Sequence, residues 1–194
     1  MANKKTRALT DDEFAQIIQT IQRGYITADG KKIKPNIRVS VALTLQANLG
    51  LRIGDIINLK LSDIVKDGNR YRLDITEQKT GKKREFTVPN EIYTYLQSYA
   101  LENSIRPNQK LFPITVRQVQ KHLQITAAYL NLENVGTHSF RKFFAVSVYN
   151  NNNYNVELVR TLLNHSNVTV TQRYLSIENR LVELALQNHI VLPK

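Results

Sequence analysis

Apolar residues recur at helical spacing from the start of the chain. Phe14, Ile17, Ile18 and Ile21 form one stripe, behind a Thr10–Glu13 pair with the separation of a capping box; Gly24 offers a C-terminal stop. The segment YITADGKKIKP is polar and basic, closes at Pro35 and reads as a loop. Ile37, Val41 and Leu45 mark one face of a second helix that breaks at Gly50. LRIGDIINLKLSDI then gives a short helical turn carrying Ile53, Ile56, Ile57 and Leu59.

From Arg70 the period changes from helical to alternating. Tyr71, Leu73 and Ile75 fall on one face of RYRLDIT, and Phe86 and Val88 repeat the pattern in REFTV. With EQKTGKK between them, residues 70–88 read as a β-hairpin with a basic turn and as the one substantial sheet. After Pro89 the helical period returns. One helix spans about residues 90–103, and a second opens on the box-like pair Thr115 and Gln118. A third carries HSFRKFFAVSVY and a fourth NVELVRTLL, separated by a turn or loose linker at the asparagine run of residues 150–153. LLNHSNVTVTQRYL follows, reading as a polar, threonine-rich connection between His165 and Tyr174. Ile177, Leu181, Leu184 and Ala185 form an apolar stripe on a final amphipathic segment, residues 176–194. The expected fold class is mainly α with a small antiparallel β-sheet (α+β).

At 194 residues the chain is long enough for a sizeable core and is expected to be a single domain, with residues 1–8 a flexible N-terminus. Charge changes the picture: 27 Lys and Arg against 16 Asp and Glu leave +11. Such an excess favours a polyanion, since neutralised phosphates release condensed counterions. Nucleic acid is the first candidate and an anionic membrane surface the second. The absence of cysteine removes disulfides, thiolate catalysis and Cys-ligated zinc. The N-terminus MANKKTRALTDDEF lacks the apolar region of a secretory signal, and no apolar run approaches 18 residues, so a cytoplasmic protein is expected.

Several polar positions carry candidate chemistry. Arg52 follows the tight turn at Gly50 between two apolar helices, where it either pairs with an acid or points into a cleft; Asp55, three residues on, is placed to orient it. His138 and Arg141 share a helical face, setting an acid–base group beside a planar phosphate ligand. Lys79, Lys82 and Lys83 occupy the hairpin turn, and His165 stands nine residues before Tyr174.

Taken in order, Arg52, Lys79, His138, Arg141, His165 and Tyr174 resemble the catalytic set of the tyrosine recombinase (phage integrase) family. LGLRIGDIINLKLSDI is similar to the family's first arginine box, including Asp55 and the later Asp63. THSFRKFFA resembles the H-x-x-R box, and LLNHSNVTVTQRYL the box that ends in the nucleophile. QKTGKK resembles the hairpin whose lysine precedes a Thr-Gly turn, which selects Lys79 over its neighbours. The likeness covers residues 9–184. One departure is Asn164, where the family usually has glycine; asparagine tolerates the left-handed conformation a glycine would supply. A second departure is expected at the N-terminus, where the resemblance leaves residues 1–194 as the catalytic domain without the core-binding domain of many members.

The resemblance implies the tyrosine recombinase catalytic-domain fold and a transesterification. Tyr174 attacks a scissile phosphate of double-stranded DNA, leaving a 3′-phosphotyrosyl link and a free 5′-hydroxyl, and a second strand then attacks that link. Bond energy is kept in the covalent intermediate, so neither metal, ATP nor another cofactor is implied. Arg52 and Arg141 hold the non-bridging oxygens, Lys79 protonates the leaving oxygen, His138 exchanges the tyrosine proton, and His165 donates to the phosphate. The implied assembly is a homo-tetramer on paired DNA sites, with accessory DNA-binding proteins as further partners and no membrane. The tail is expected either to pack on its own domain or to exchange between protomers. Integration, excision and inversion all follow from this chemistry. Two other readings stand beside it: a type IB topoisomerase-like relaxer with the same nucleophile, and a non-catalytic DNA-binding module or antagonist at recombination sites.

Overall fold

The computed structural model describes residues 6–175 and Gln187; the amphipathic stripe from Ile177 onward and the start of the N-terminus lie outside the described residues. The chain divides into two compact units, Met1–Phe144 and Ala145–Lys194.

In the first unit, α1 (Asp11–Arg23) begins with the expected reciprocal box: the Thr10 side chain accepts from the Glu13 amide and the Glu13 carboxylate accepts from the Thr10 amide. Ile17, Ile18 and Ile21 are its buried stripe. The basic loop that follows is more ordered than its composition suggests, since β1 (Tyr25–Ile26) and β2 (Lys32–Ile33) pair antiparallel within it. Helix α2 (Ile37–Leu49) also departs from expectation. It is buried on nearly every side from Val39 to Leu49, whereas Ile37, read as part of a single inner face, is 47% exposed. A helix that is apolar all round belongs at the centre of a core rather than on its rim.

The chain leaves α2 through Gly50 in the left-handed conformation (φ 58°). There, an added Cβ would collide with the Phe144 ring. Leu51, Ile53, Ile56, Ile57 and Leu59 are all buried, around the short helix α3 (Ile53–Ile56). A 3₁₀ turn at Leu61–Asp63 leads into the sheet, which has three strands instead of two. β3 (Ile64–Asp67), β4 (Arg70–Thr76) and β5 (Lys83–Val88) run antiparallel in chain order. The register sets Tyr71 opposite Val88 and Leu73 opposite Phe86, so the two apolar sets share one face. Arg84 lies opposite Ile75 and is 4% exposed, which puts a guanidinium among apolar side chains.

Helix α4 (Asn90–Glu102) and helix α5 (Val116–Tyr129), the latter with its Thr115–Gln118 box formed, supply Leu96, Tyr99, Val119 and Leu123 to the core. Helix α6 (Thr137–Asn151) adds Phe140, fully buried.

In the second unit, α7 (Val156–Leu162) is capped by Asn155, whose side chain accepts from the Leu158 amide. The threonine-rich stretch read as a connection is instead largely helix, α8 (Val168–Leu175). It buries Thr171 and Leu175, four residues apart on one face. Tertiary burial here outweighs the modest helix propensity of a Val-Thr-Val-Thr run.

Candidate active site

Four of the six residues singled out in the sequence belong to the first unit. Arg52 sits at the start of α3, where the chain emerges from the Gly50 turn. Lys79 lies in the turn between β4 and β5, and His138 and Arg141 lie in the first turn and a half of α6. Arg52, Lys79 and His138, with Gln46, Asp55, Gln78 and Gln120 among their neighbours, line one open cleft of 390 Å³. Arg141 is 2% exposed and donates from Nη1 to the Gly50 carbonyl at 2.7 Å, two residues from Arg52. This bond joins the two arginine segments through the buried carbonyl end of α2, where acceptors lack intrahelical donors.

The acid that holds Arg52 is Glu77. The Arg52 Nη1 donates to Glu77 Oε2 at 2.6 Å, while Asp55 Oδ1 accepts from the Gln78 amide at 2.9 Å. Asp55 thus fastens the hairpin turn to α3, and Glu77 orients the guanidinium. Glu77 is completely buried and takes two further hydrogen bonds, from Thr80 Oγ1 at 2.7 Å and from Arg84 Nη1 at 2.9 Å. Burial alone would raise its pKa, but the bonds from Thr80, Arg84 and Arg52 outweigh it and hold the carboxyl at about 2. Arg84 also donates from Nη2 to the Leu49 carbonyl at 3.3 Å.

Neither Glu77 nor Arg84 stands out when the hairpin is read as a basic turn. The signal lies in parity. Arg84 occupies the inward phase of a strand whose next inward residues are Phe86 and Val88, and a buried guanidinium requires an acid. Glu77 is the one acid in EQKTGKK.

Cationic side chains gather around His138. Crowding of the ring by neighbouring atoms, then the charges of Arg141, Lys79, Arg52 and Lys142, push the His138 pKa below the ordinary imidazole value. The residue nonetheless keeps contact with solvent at the cleft. The neutral imidazole that results can accept a proton near pH 7. Among the described residues no group of three or more His, Cys, Asp or Glu side chains is arranged to hold a metal ion.

The remaining two residues belong to the second unit. His165 and Tyr174 meet edge to face, their ring centroids 5.6 Å apart at an interplanar angle of 82°. His165 Nδ1 and Thr171 Oγ1 are hydrogen-bonded at 3.0 Å, and Thr171 is fully buried, so the imidazole is fixed from the same helix that carries Tyr174. The turn into His165 depends on Asn164 at φ 55°, the left-handed conformation expected of the residue that replaces glycine. It is closed by the His165 amide donating to the Arg160 carbonyl at 3.0 Å and by Arg160 Nη1 donating back to the His165 carbonyl at 2.8 Å. Tyr174 is half-buried, with its hydroxyl oxygen shielded from solvent.

Residues 7–180 match the phage integrase family. The Bacillus subtilis (strain 168) protein named "Probable integrase/recombinase YoeC" is 34% identical over 138 residues, spanning 68% of this chain and 73% of that protein. Tyrosine recombinase XerA of Pyrococcus furiosus is 23% identical over 192 residues, 93% of this chain and 61% of XerA. Among solved structures, the XerH site-specific recombinase bound to palindromic difH substrate in a post-cleavage complex superimposes with a TM-score of 0.69 at 21% identity, covering 95% of this chain and 53% of XerH. The chain therefore spans little more than half the length of some of the recombinases it matches. No helix among the described residues is long and apolar enough to cross a membrane. The match over residues 7–180, the shared fold and the ordered polar residues together show that this chain belongs to the phage integrase family and has the tyrosine recombinase catalytic-domain fold.

Proposed function

We propose that this chain is the catalytic domain of a site-specific recombinase that cuts and rejoins double-stranded DNA through a 3′-phosphotyrosyl intermediate. The observation that carries the reading is the convergence of Arg52, Lys79 and His138 on a single cleft, from three elements far apart in sequence. The formal charge of +11 supports a polyanionic substrate, and XerH, a site-specific recombinase of this fold, is seen bound to its difH substrate after cleavage.

In this reading the Tyr174 hydroxyl attacks phosphorus, forming an O–P bond as the bond to the 5′-oxygen breaks. His138, neutral at pH 7, takes the phenolic proton, and Lys79 gives a proton to the departing 5′-oxygen. Negative charge gathers on the non-bridging oxygens. Arg52, already oriented by Glu77, and Arg141, already bonded to Gly50, meet that charge without reorganising. His165, steadied by Thr171, adds a hydrogen bond to the phosphate. A 5′-hydroxyl from a partner site then reverses the chemistry, with paired sites held by a homo-tetramer and, where needed, accessory DNA-binding proteins. Asp55 serves by pinning the hairpin at Gln78.

The test is covalent trapping on nicked suicide duplexes drawn from DNA flanking the gene, with Tyr174→Phe as control. The expected result is an SDS-resistant protein–DNA adduct that Tyr174→Phe does not form. Salt-sensitive binding with no adduct would overturn the enzymatic reading in favour of DNA binding alone. Relaxation of supercoils without strand exchange between two sites would identify a topoisomerase-like relaxer.

A further inference from the structure

We propose that Glu77 is a positioning residue for this chemistry, a buried carboxylate that holds Arg52 for the scissile phosphate and anchors the turn that carries Lys79. The proposal rests on the recombinase reading above and extends it to a residue outside the six-residue set.

Four features of the geometry converge on Glu77. Its Oε2 accepts from Arg52 and from Thr80, and its Oε1 from Arg84, so both oxygens are engaged at 2.6–2.9 Å. Its backbone closes the turn as well: the Glu77 amide donates to the Lys82 carbonyl and the Gly81 amide to the Glu77 carbonyl, each at 2.9 Å. Lys79 lies inside that closed turn, and Asp55 fastens the adjoining Gln78 amide to α3. Finally, Nη1 is the donor through which Arg52 reaches Glu77, and among the described residues no other Arg52 donor has a hydrogen bond assigned, while its side chain lines the cleft. A guanidinium carries five N–H donors in a rigid fork, so fixing one edge aims the others.

The division of labour between the two arginines explains why a buried acid next to a phosphate site does not defeat it. A carboxylate paired with Arg52 alone would cancel the charge that the phosphate needs. Here Arg84, 4% exposed and outside the lining of the cleft, supplies a second positive charge to the same carboxylate. The triad of Arg52, Glu77 and Arg84 keeps a net positive charge, and its one partly exposed member, Arg52, is the one in the cleft.

The experiment compares wild type, Glu77→Gln, Glu77→Asp and Arg52→Ala, together with the Glu77→Gln/Arg52→Ala double variant. Adduct formation is measured at saturating suicide duplex, duplex affinity by titration, and Arg52 side-chain order by 15N NMR of the guanidinium. Glu77→Gln is expected to bind duplex within about threefold of wild type but to form adduct about 100-fold more slowly, the loss falling on kcat and not KM, as for a misplaced reacting group. Glu77→Asp, which keeps the charge, should recover part of the rate. On the Arg52→Ala background, Glu77→Gln should add less than threefold, because glutamine keeps the backbone bonds of the turn and an oxygen for Thr80, so what it loses passes through Arg52. A wild-type adduct rate in folded Glu77→Gln would overturn the proposal, as would multiplicative losses in the double variant. Should Glu77→Gln not fold, Glu77→Asp decides in its place: an unchanged rate with unchanged guanidinium order would overturn the proposal. If the wild type itself forms no adduct, the recombinase reading fails, and the NMR arm still decides whether Glu77 orders Arg52.

Discussion

Arg141 donates to the carbonyl of Gly50 at 2.7 Å across 91 residues of sequence. The bond links the H-x-x-R segment to the turn that launches Arg52, so one glycine sets the position of both arginines. That glycine is also the place where φ is 58° and where a Cβ would strike Phe144.

Gly50→Ala is therefore expected to destabilise the fold by about 2–4 kcal/mol, from left-handed strain plus overpacking. Urea denaturation would show it as a lower midpoint. Loss of adduct formation at temperatures where the variant is still folded would show that the arginine link, as well as stability, has been disturbed.

Glu77 gives the protein a defined acid sensitivity. Its folded pKa of about 2 lies below the ordinary carboxyl value of 4.5, so its contribution is fully present above pH 4.5 and is lost as pH falls toward 2. That contribution is on the order of 3 kcal/mol. In denaturation measured from pH 5 down to pH 2, wild type should lose stability more steeply than Glu77→Gln, which has no proton to take up at this position. Parallel curves would contradict the assignment.

His138 should govern the acid limb of the reaction. Its pKa is depressed, first by crowding and then by the surrounding cations, so the base form persists below the ordinary midpoint of about 6.5. The rate of adduct formation is expected to rise with pH through a midpoint below that value, and His138→Asn should flatten the limb. Lys79→Met removes one of the cations and should raise the His138 midpoint, read directly by NMR titration of the imidazole.

Thr171 is expected to matter through its hydroxyl. Thr171→Val preserves shape but removes the partner of His165 Nδ1, at a cost of about 1–2 kcal/mol in stability. A tenfold slower adduct, on the order of a partly lost hydrogen-bond donor, should accompany it. Thr171→Ser, which keeps the hydroxyl, should restore the rate. Equal defects in the two variants would point to packing instead.

What could be read from the sequence was mostly local. The Thr10–Glu13 and Thr115–Gln118 boxes form as expected because each depends on residues three apart. The left-handed Asn164 was legible from the residue type alone, and the alternation within β4 and within β5 from neighbours two apart. The misses have a common cause in long-range packing. β3 is four residues long, with no alternation to mark it until β4 pairs with it. Helix α8 forms through burial of Thr171 and Leu175 despite its β-branched residues. Asp55 was read as the acid facing Arg52 because it stands three residues away. The acid that faces Arg52 is 25 residues on, brought there by the hairpin, and nothing in the local spacing reveals it.

The closed turn of residues 77–82 has a further consequence, in entropy. Ordering a loose loop around a ligand costs about 1–2 kcal/mol for each backbone residue fixed. In this turn the Glu77–Lys82 and Gly81–Glu77 backbone bonds, the Thr80 hydroxyl and the Asp55–Gln78 bond have removed much of that freedom during folding. The Lys79 side chain stays exposed at the tip. A flexible amine on a pre-shaped arm can search for an oxygen over a short radius while the backbone beneath it has little left to lose, so much of the cost of presenting Lys79 falls on folding and not on the encounter with substrate.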